Sequence, residues 1–377
     1  MTLKDSEKLL ELSKRVGSFA HARIASVKDL DRSTSFPPNL WREMAREGLF
    51  GIGLPVEAGG SGHGWPGVLA AGEALVTWGG NLGVALSWML HVIVARHVLC
   101  RHGGDRHAGV VRELAAGGKT ACLAVSEPKV GAHPKHLKAT ARQKNGKWVL
   151  NGEKTYLTNG PIADFYCVVA ATGEHLGKKE FSAFLVSRHA EGLEVGDPME
   201  LDFLRPSPHG GITLRNCRVG EEAMIGRQGA AYTEMVKPFR EVEDVAMCGP
   251  ILGALCRQAR LCASMLQSSG GSVDEEDQLA LGRFRYLIDA VRVVALEAAS
   301  ALEETDGGAD ATSLVLACRD MVEQTQSLPR KLAEECGADD GHELPRLTRE
   351  LTMVGGIAKN VSLDRQKKLG NAMIAAR

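Results

Sequence analysis

The period of the apolar residues changes twice along this chain, and that double change limits the fold more than any single motif. Up to about residue 118 the pattern is helical. Leu9, Leu12 and Val16 recur on one helix face. Pro37-Pro38 opens a helix carrying Leu40, Met44 and Leu49, a position where proline is tolerated. From about 119 to 228 short strand-like runs take over: Trp148–Leu150, Phe165–Ala171, Phe181–Val186 and Gly211–Leu214, separated by Gly, Asn and Pro turns. Lys144-Asn-Gly-Lys147 predicts a hairpin of the Asn-Gly type. After Gly229 the helical period returns, with Phe284, Leu287, Val291, Val294, Ala298 and Leu302 in one stripe. Two breaks interrupt it: Ser268-Ser-Gly-Gly-Ser272 with the acidic run Asp274-Glu-Glu-Asp277, and Asp306-Gly-Gly-Ala-Asp310. The expectation is an α+β chain, mainly α, in three domains: helical 1–118, β 119–228 and helical 229–377. Strand and helix do not alternate as in a doubly wound sheet.

Length and charge narrow the function. A chain of 377 residues exceeds one average domain, and 44% hydrophobic with 24% charged residues suits an ample core. A net charge of −1 argues against a nucleic-acid binder, which needs a concentrated basic face. Nine cysteines are scattered without a C-x-x-C pair, six of them (Cys122, Cys167, Cys248, Cys256, Cys262, Cys318) in apolar settings. They read as reduced, buried thiols of a cytoplasmic protein. The charged N-terminus lacks the apolar centre of a signal peptide. The longest apolar run, Gly83–Ala95, falls short of the ~20 residues of a bilayer span and reads as a buried helix with His91 as a core histidine. His102, His107, His133 and His136 lack ligand spacing, so no metal is expected.

Two segments carry the chemistry. Leu123-Ala-Val-Ser-Glu-Pro-Lys-Val-Gly-Ala-His-Pro134 is followed by Asn151-Gly-Glu-Lys-Thr-Tyr-Leu-Thr-Asn-Gly160. Both put hydroxyl and aromatic residues at strand ends. Together with Glu47–Pro55, Gly59-Gly-Ser-Gly62, the Met199–Gly226 segment and Gly249–Leu255, they resemble the acyl-CoA dehydrogenase family over nearly the whole chain. The resemblance implies an N-terminal helical domain, a small middle β-barrel domain and a C-terminal four-helix bundle. It also implies a homo-oligomer, dimer or tetramer, and FAD as cofactor.

In that resemblance Val125 and Ser126 lie near the pyrimidine edge of the flavin. Tyr156 takes the place of an aromatic, usually tryptophan, beside the ring, and Thr158 that of the hydroxyl near N5. Gly131 belongs to the turn near the pyrophosphate. There the family's Gly-Ser-Asp is replaced by Gly131-Ala132-His133, so a hydroxyl is missing. Two elements that reach the FAD from a neighbouring subunit also differ. Ser268–Asp277 stands in place of Arg-x-x-Phe-Gly, and Glu334–Gly341 in place of a glycine-rich glutamine loop. Both bring carboxylates near an expected dianion.

Abstraction of the α proton of an acyl thioester requires a carboxylate in a desolvated slot. Most of the family supplies it from a loop, where this chain has Gly355. The isovaleryl- and long-chain-type branch supplies it from the first C-terminal helix, ten residues before a glycine. Counting back from Gly253 reaches Glu243; a small register shift selects Glu241. The branch pairs that glutamate with arginine, whereas here Asp244 follows.

Three functions fit. The first is an FAD-dependent acyl-CoA dehydrogenase that makes the trans-2-enoyl thioester from an acyl-CoA or acyl-carrier thioester and reduces an electron-transfer flavoprotein. The second is a divergent, flavin-poor subunit of a heteromer with a homologue. The third is a flavin monooxygenase or oxidase on the same fold.

Overall fold

The structure, a computed structural model, describes residues 3–268, 273–305, 310–335, 342–357 and 359–375. Five helices come first: α1 (Leu3–Phe19), α2 (Pro38–Arg46), α3 (Gly64–Gly79), α4 (Leu82–Ile93) and α5 (Gly104–Ala115). Eight strands follow: β1 (Ala121–Ala124), β2 (Thr140–Lys144), β3 (Lys147–Thr158), β4 (Phe165–His175), β5 (Lys178–Ser187), β6 (Leu193–Val195), β7 (His209–Val219) and β8 (Met224–Ile225). The chain returns to helices in α6 (Lys237–Ser268), α7 (Glu275–Glu304), α8 (Thr312–Thr325), α9 (Ser327–Glu335), α10 (Glu343–Gly356) and α11 (Lys359–Ala375). Contacts group the chain into two units: Met1–Lys28 with Trp65–Ala85 and Asp244–Arg377, and Asp29–Gly64 with Leu86–Glu243.

The second unit holds the sheet. Its strand order is β6-β7-β3-β2-β4-β5-β8, with β1 parallel to β4. The expected hairpin joins β2 to β3: Lys144 pairs with Lys147 across Asn145 (φ +52°) and Gly146 (φ +71°). Positive φ at both central residues is the type I′ geometry that matches strand twist. Trp148, Leu150, Tyr166, Val168, Phe184 and Leu214 are central to the buried core of the sheet. They alternate along their strands with residues that point away.

The first unit is held by helix packing. On α7 the stripe residues Phe284, Leu287, Val291, Ala298 and Leu302 are buried, joined by Ile288, Ala295 and Ala299. The acidic run read as a break begins this helix: the Asp274 side chain accepts from the Asp277 N–H at 2.8 Å. Helices α3 and α6 meet backbone to backbone. A Cβ at Gly249 would sit 2.5 Å from the Leu69 carbonyl oxygen, and one at Gly253 2.4 Å from that of Glu73. Gly72 faces the ring of Pro250 in the same way, at 2.7 Å.

The apolar run at 83–95 is longer than the sequence reading held. Its helix continues to Cys100, giving 19 residues of mean hydropathy 1.6, long and apolar enough to cross a membrane by composition, with that window wholly buried inside the protein. His91 is fully buried there, its Nε2 3.0 Å from the Leu114 carbonyl and its ring edge-on to Trp41 and Phe50. Burial pushes its pKa down to about 4. Six of the cysteines (Cys122, Cys167, Cys217, Cys248, Cys262, Cys318) are buried thiols, whereas Cys256 is half-buried.

Candidate functional site

The segment after β1 and the end of β3 are brought together by a buried ion pair that the sequence reading did not single out. Lys154 Nζ lies 2.9 Å from Glu127 Oε1, with the two side chains 0% and 6% exposed. The same ammonium donates to the Val125 carbonyl at 2.9 Å. The Glu127 carboxylate also accepts from the Lys138 and Ala139 amides at 2.6 and 2.9 Å. Burial alone would raise the Glu127 pKa. The two amides and the Lys154 charge outweigh it and hold the carboxyl below its usual range. Burial lowers the Lys154 pKa, partly offset by Glu127. Val125, buried, and Ser126, half-buried, are thus pinned against β3.

A bulge follows directly. Lys154 pairs with Ile212 and Leu157 with Gly210, so β3 carries one residue more than β7 over this step. The extra residue frees the Thr155 N–H from the ladder, and it donates to the Ser126 carbonyl at 2.9 Å. Tyr156 takes the left-handed conformation (φ +56°), and its side chain stays 60% exposed. Bulges re-aim side chains, and a non-glycine residue at this φ is destabilised by about 1 kcal/mol.

Thr158, half-buried, pairs with His209 across β3 and β7. Its Oγ1 lies 3.0 Å from His209 Nε2, and His209 Nδ1 lies 3.1 Å from the Ser207 carbonyl. Next to it, Asn159 is fully buried, donating from Nδ2 to the Ser87 carbonyl at 2.8 Å. Ser87 in turn donates to the Ser207 hydroxyl at 3.1 Å.

Gly131 (φ +60°) is exposed in a tight turn, exchanging two backbone hydrogen bonds with Glu127 at 3.0 and 3.1 Å. Around it runs an exposed basic stretch: Lys129, His133, Lys135, His136 and Lys138. The Tyr232 hydroxyl steadies it by donating to the Ala132 carbonyl at 3.2 Å. Of the two other segments named in the sequence, residues 269–272 and 336–341 lie outside the described residues.

Glu243 sits near the start of α6, its side chain 28% exposed and its carboxylate 3.3 Å from Arg240, one turn back. Gly355, near the end of α10, is exposed, and a Cβ there would meet nothing within 4 Å. The departure at Asp244 has a structural counterpart. This side chain is 7% exposed and lies 2.7 Å from Arg365 on α11 and 3.5 Å from Arg319 on α8. Where the branch has a cation, this chain has an anion tied to two arginines from other helices. Asp244 lines a cavity of ≈ 580 Å³ in the first unit together with Met247, Cys248, Arg319, Leu351 and Gly355.

Lys154, Glu127 and His209 escaped the sequence reading because their partners lie 27 to 51 residues away. No local spacing announces such pairs, although a lysine inside a strand otherwise built for burial is a usable signal.

The chain is similar to known proteins along these same elements. Residues 6–118 match the N-terminal domain of acyl-CoA dehydrogenases and residues 122–217 their middle domain. The isovaleryl-CoA dehydrogenase of Arabidopsis thaliana is 30% identical over 246 residues, 64% of this chain and 60% of that protein. The L-prolyl-[peptidyl-carrier protein] dehydrogenase of Pseudomonas fluorescens is 24% identical over 285 residues, 74% of this chain and 75% of that one. The chain spans about three-fifths of the length of the first of its curated relatives. Among solved structures, the butyryl-CoA dehydrogenase of Megasphaera elsdenii superposes with a TM-score of 0.86 at 18% identity, covering 97% of this chain and 98% of that one.

Proposed function

The chain belongs to the acyl-CoA dehydrogenase family, and on that premise we propose that it is an FAD-dependent dehydrogenase of acyl thioesters. The observation that carries the proposal is the bulged edge of β3. Tyr156 offers an open aromatic face, Thr158 a half-buried hydroxyl, and Ser126 is stitched beside them through its carbonyl. A flavin needs a flat apolar partner and polar groups at its edge, and these residues fit it. For the pyrophosphate the chain offers charge in place of the missing serine hydroxyl: three lysines and two histidines exposed around the Gly131 turn.

Bound FAD supplies the acceptor for the β hydride. In this reading Tyr156 carries the ring, Thr158 and Ser126 fix its polar edge, and Glu243 takes the α proton of the thioester. The product is the trans-2-enoyl thioester, and an electron-transfer flavoprotein reoxidises the enzyme. Carrier-protein thioesters belong to the substrate class beside acyl-CoA, given the similarity to the prolyl-carrier dehydrogenase of P. fluorescens.

One observation favours a second reading, a flavin-poor subunit of a heteromer: the Glu243 carboxylate is partly exposed and paired with Arg240 rather than sealed from water. A visible spectrum separates the two. Purified protein with flavin bands that bleach anaerobically on adding an acyl-CoA or acyl-carrier thioester supports the dehydrogenase. Protein that stays colourless after FAD addition rejects it.

A further inference from the structure

The hydrogen bonds around His209 fix which atom carries its proton. Nδ1 lies 3.1 Å from the Ser207 carbonyl, which only accepts, so Nδ1 is the protonated nitrogen. Burial lowers the His209 pKa, so the ring is neutral near pH 7 and Nε2 holds a lone pair. Thr158 Oγ1, 3.0 Å away, therefore donates its single hydroxyl proton to Nε2. Its oxygen keeps lone pairs but has no proton left to give.

We propose that His209 is a positioning residue that commits the Thr158 hydroxyl proton to its own ring, so that Thr158 meets a ligand only as a hydrogen-bond acceptor. This rests on the reading above, in which the flavin N5 edge lies at Thr158. The oxidised ring presents a bare N5, which wants a donor. The reduced ring presents N5–H, which wants an acceptor. An acceptor-only Thr158 favours the reduced ring and raises the reduction potential of the bound cofactor. His209 and Thr158 face each other in register, so no loop movement is needed to make the pair.

Two measurements test it. In flavin-free protein labelled with 15N-histidine, the ring nitrogens of His209 are expected to report a protonated Nδ1 and an unprotonated Nε2 near neutral pH. The Nε2 resonance is expected to move in Thr158→Val. A protonated Nε2 overturns the proposal, whether or not the protein takes up FAD.

In FAD-loaded protein, His209→Phe removes the proton acceptor and lets Thr158 donate. The midpoint potential is expected to fall by about 30 mV, a tenfold change for a two-electron couple. In a Thr158→Val background the same substitution is expected to shift it far less. Equal shifts in both backgrounds mean that His209 acts through packing alone, and overturn the proposal. If no FAD is retained, the dehydrogenase reading fails, while the nitrogen spectrum still decides the role of His209.

Discussion

Lys154 and Glu127 face each other inside the sheet unit, 2.9 Å apart and almost without solvent. Every polar atom this pair exposes to its neighbours is used: Lys154 also binds the Val125 carbonyl, and Glu127 two backbone amides. Such a pair adds little net stability over an apolar one, because desolvation offsets the Coulomb gain. What it fixes is position, since Val125, Ser126 and the bulge of β3 hang from it.

Removing one partner leaves a buried charge alone. Lys154→Met is expected to destabilise the protein by about 3–5 kcal/mol, measured by urea unfolding. Lys154→Met combined with Glu127→Leu is expected to recover part of the loss. The double variant should still bind FAD more weakly, because the Val125 carbonyl loses the Lys154 hydrogen bond that holds it.

Tyr156 separates stability from function. At φ +56° glycine carries no steric penalty. Tyr156→Gly is expected to leave the thermal midpoint unchanged or higher, with a relief of about 1 kcal/mol against the entropy of the added glycine. FAD retention is expected to fall at least tenfold in an equilibrium titration. A variant that keeps full FAD affinity removes the platform role.

Asp244 anchors α8 and α11 to α6 within the helical unit. Asp244→Asn is expected to cost about 2–4 kcal/mol, because Arg319 and Arg365 lose their anion. Asp244→Arg, which restores the residue of the isovaleryl-type branch, is expected to cost more, since it packs three guanidinium groups together. Calorimetric unfolding of the two variants gives the order.

Glu243→Gln is expected to retain flavin yet abolish bleaching by an acyl thioester. Glu241→Gln is expected to bleach normally. The reverse order, read by stopped-flow absorbance, would move the base to Glu241.

His91 gives a pH signature. Its folded pKa is about 4, below the usual 6.5 of an unfolded histidine. Between these values the unfolded chain binds the proton and the folded chain does not, so stability is expected to fall as pH drops from 6.5 towards 4. The difference is worth about 3 kcal/mol at 1.36 kcal/mol per pH unit. Urea midpoints at pH 7 and pH 4.5 measure it, and His91→Gln should reduce the slope over that window, the remainder coming from His97, whose pKa burial also lowers to about 4.

The change of period at about 119 and the return to helix after Gly229 made the order of elements readable, because burial on one face imposes its period wherever it occurs. The Asn145-Gly146 turn was readable for a backbone reason, the need for positive φ twice. Tyr156 was legible as a residue but not as a conformation: nothing in Lys-Thr-Tyr-Leu-Thr announces a bulge, which arises from the register of β3 against β7. The role of Asp244 was hidden for another reason. Its arginines come from helices 75 and 121 residues further along the chain, and a charge reversal looks like a loss until its counterions are found.

The backbone contact between α3 and α6 gives Gly253 a meaning beyond a letter in a motif. A helix that rests on the carbonyl of Glu73 with no side chain between lies closer to its neighbour than a larger residue at this position would allow. Gly253 is a point of close approach, and Glu243 stands about 15 Å along the same helix, at 1.5 Å per residue. Substitution is free to alter what that helix carries, but an insertion or deletion between Gly253 and Glu243 would turn the carboxylate proposed as the base to another face of the helix, by about 100° per residue.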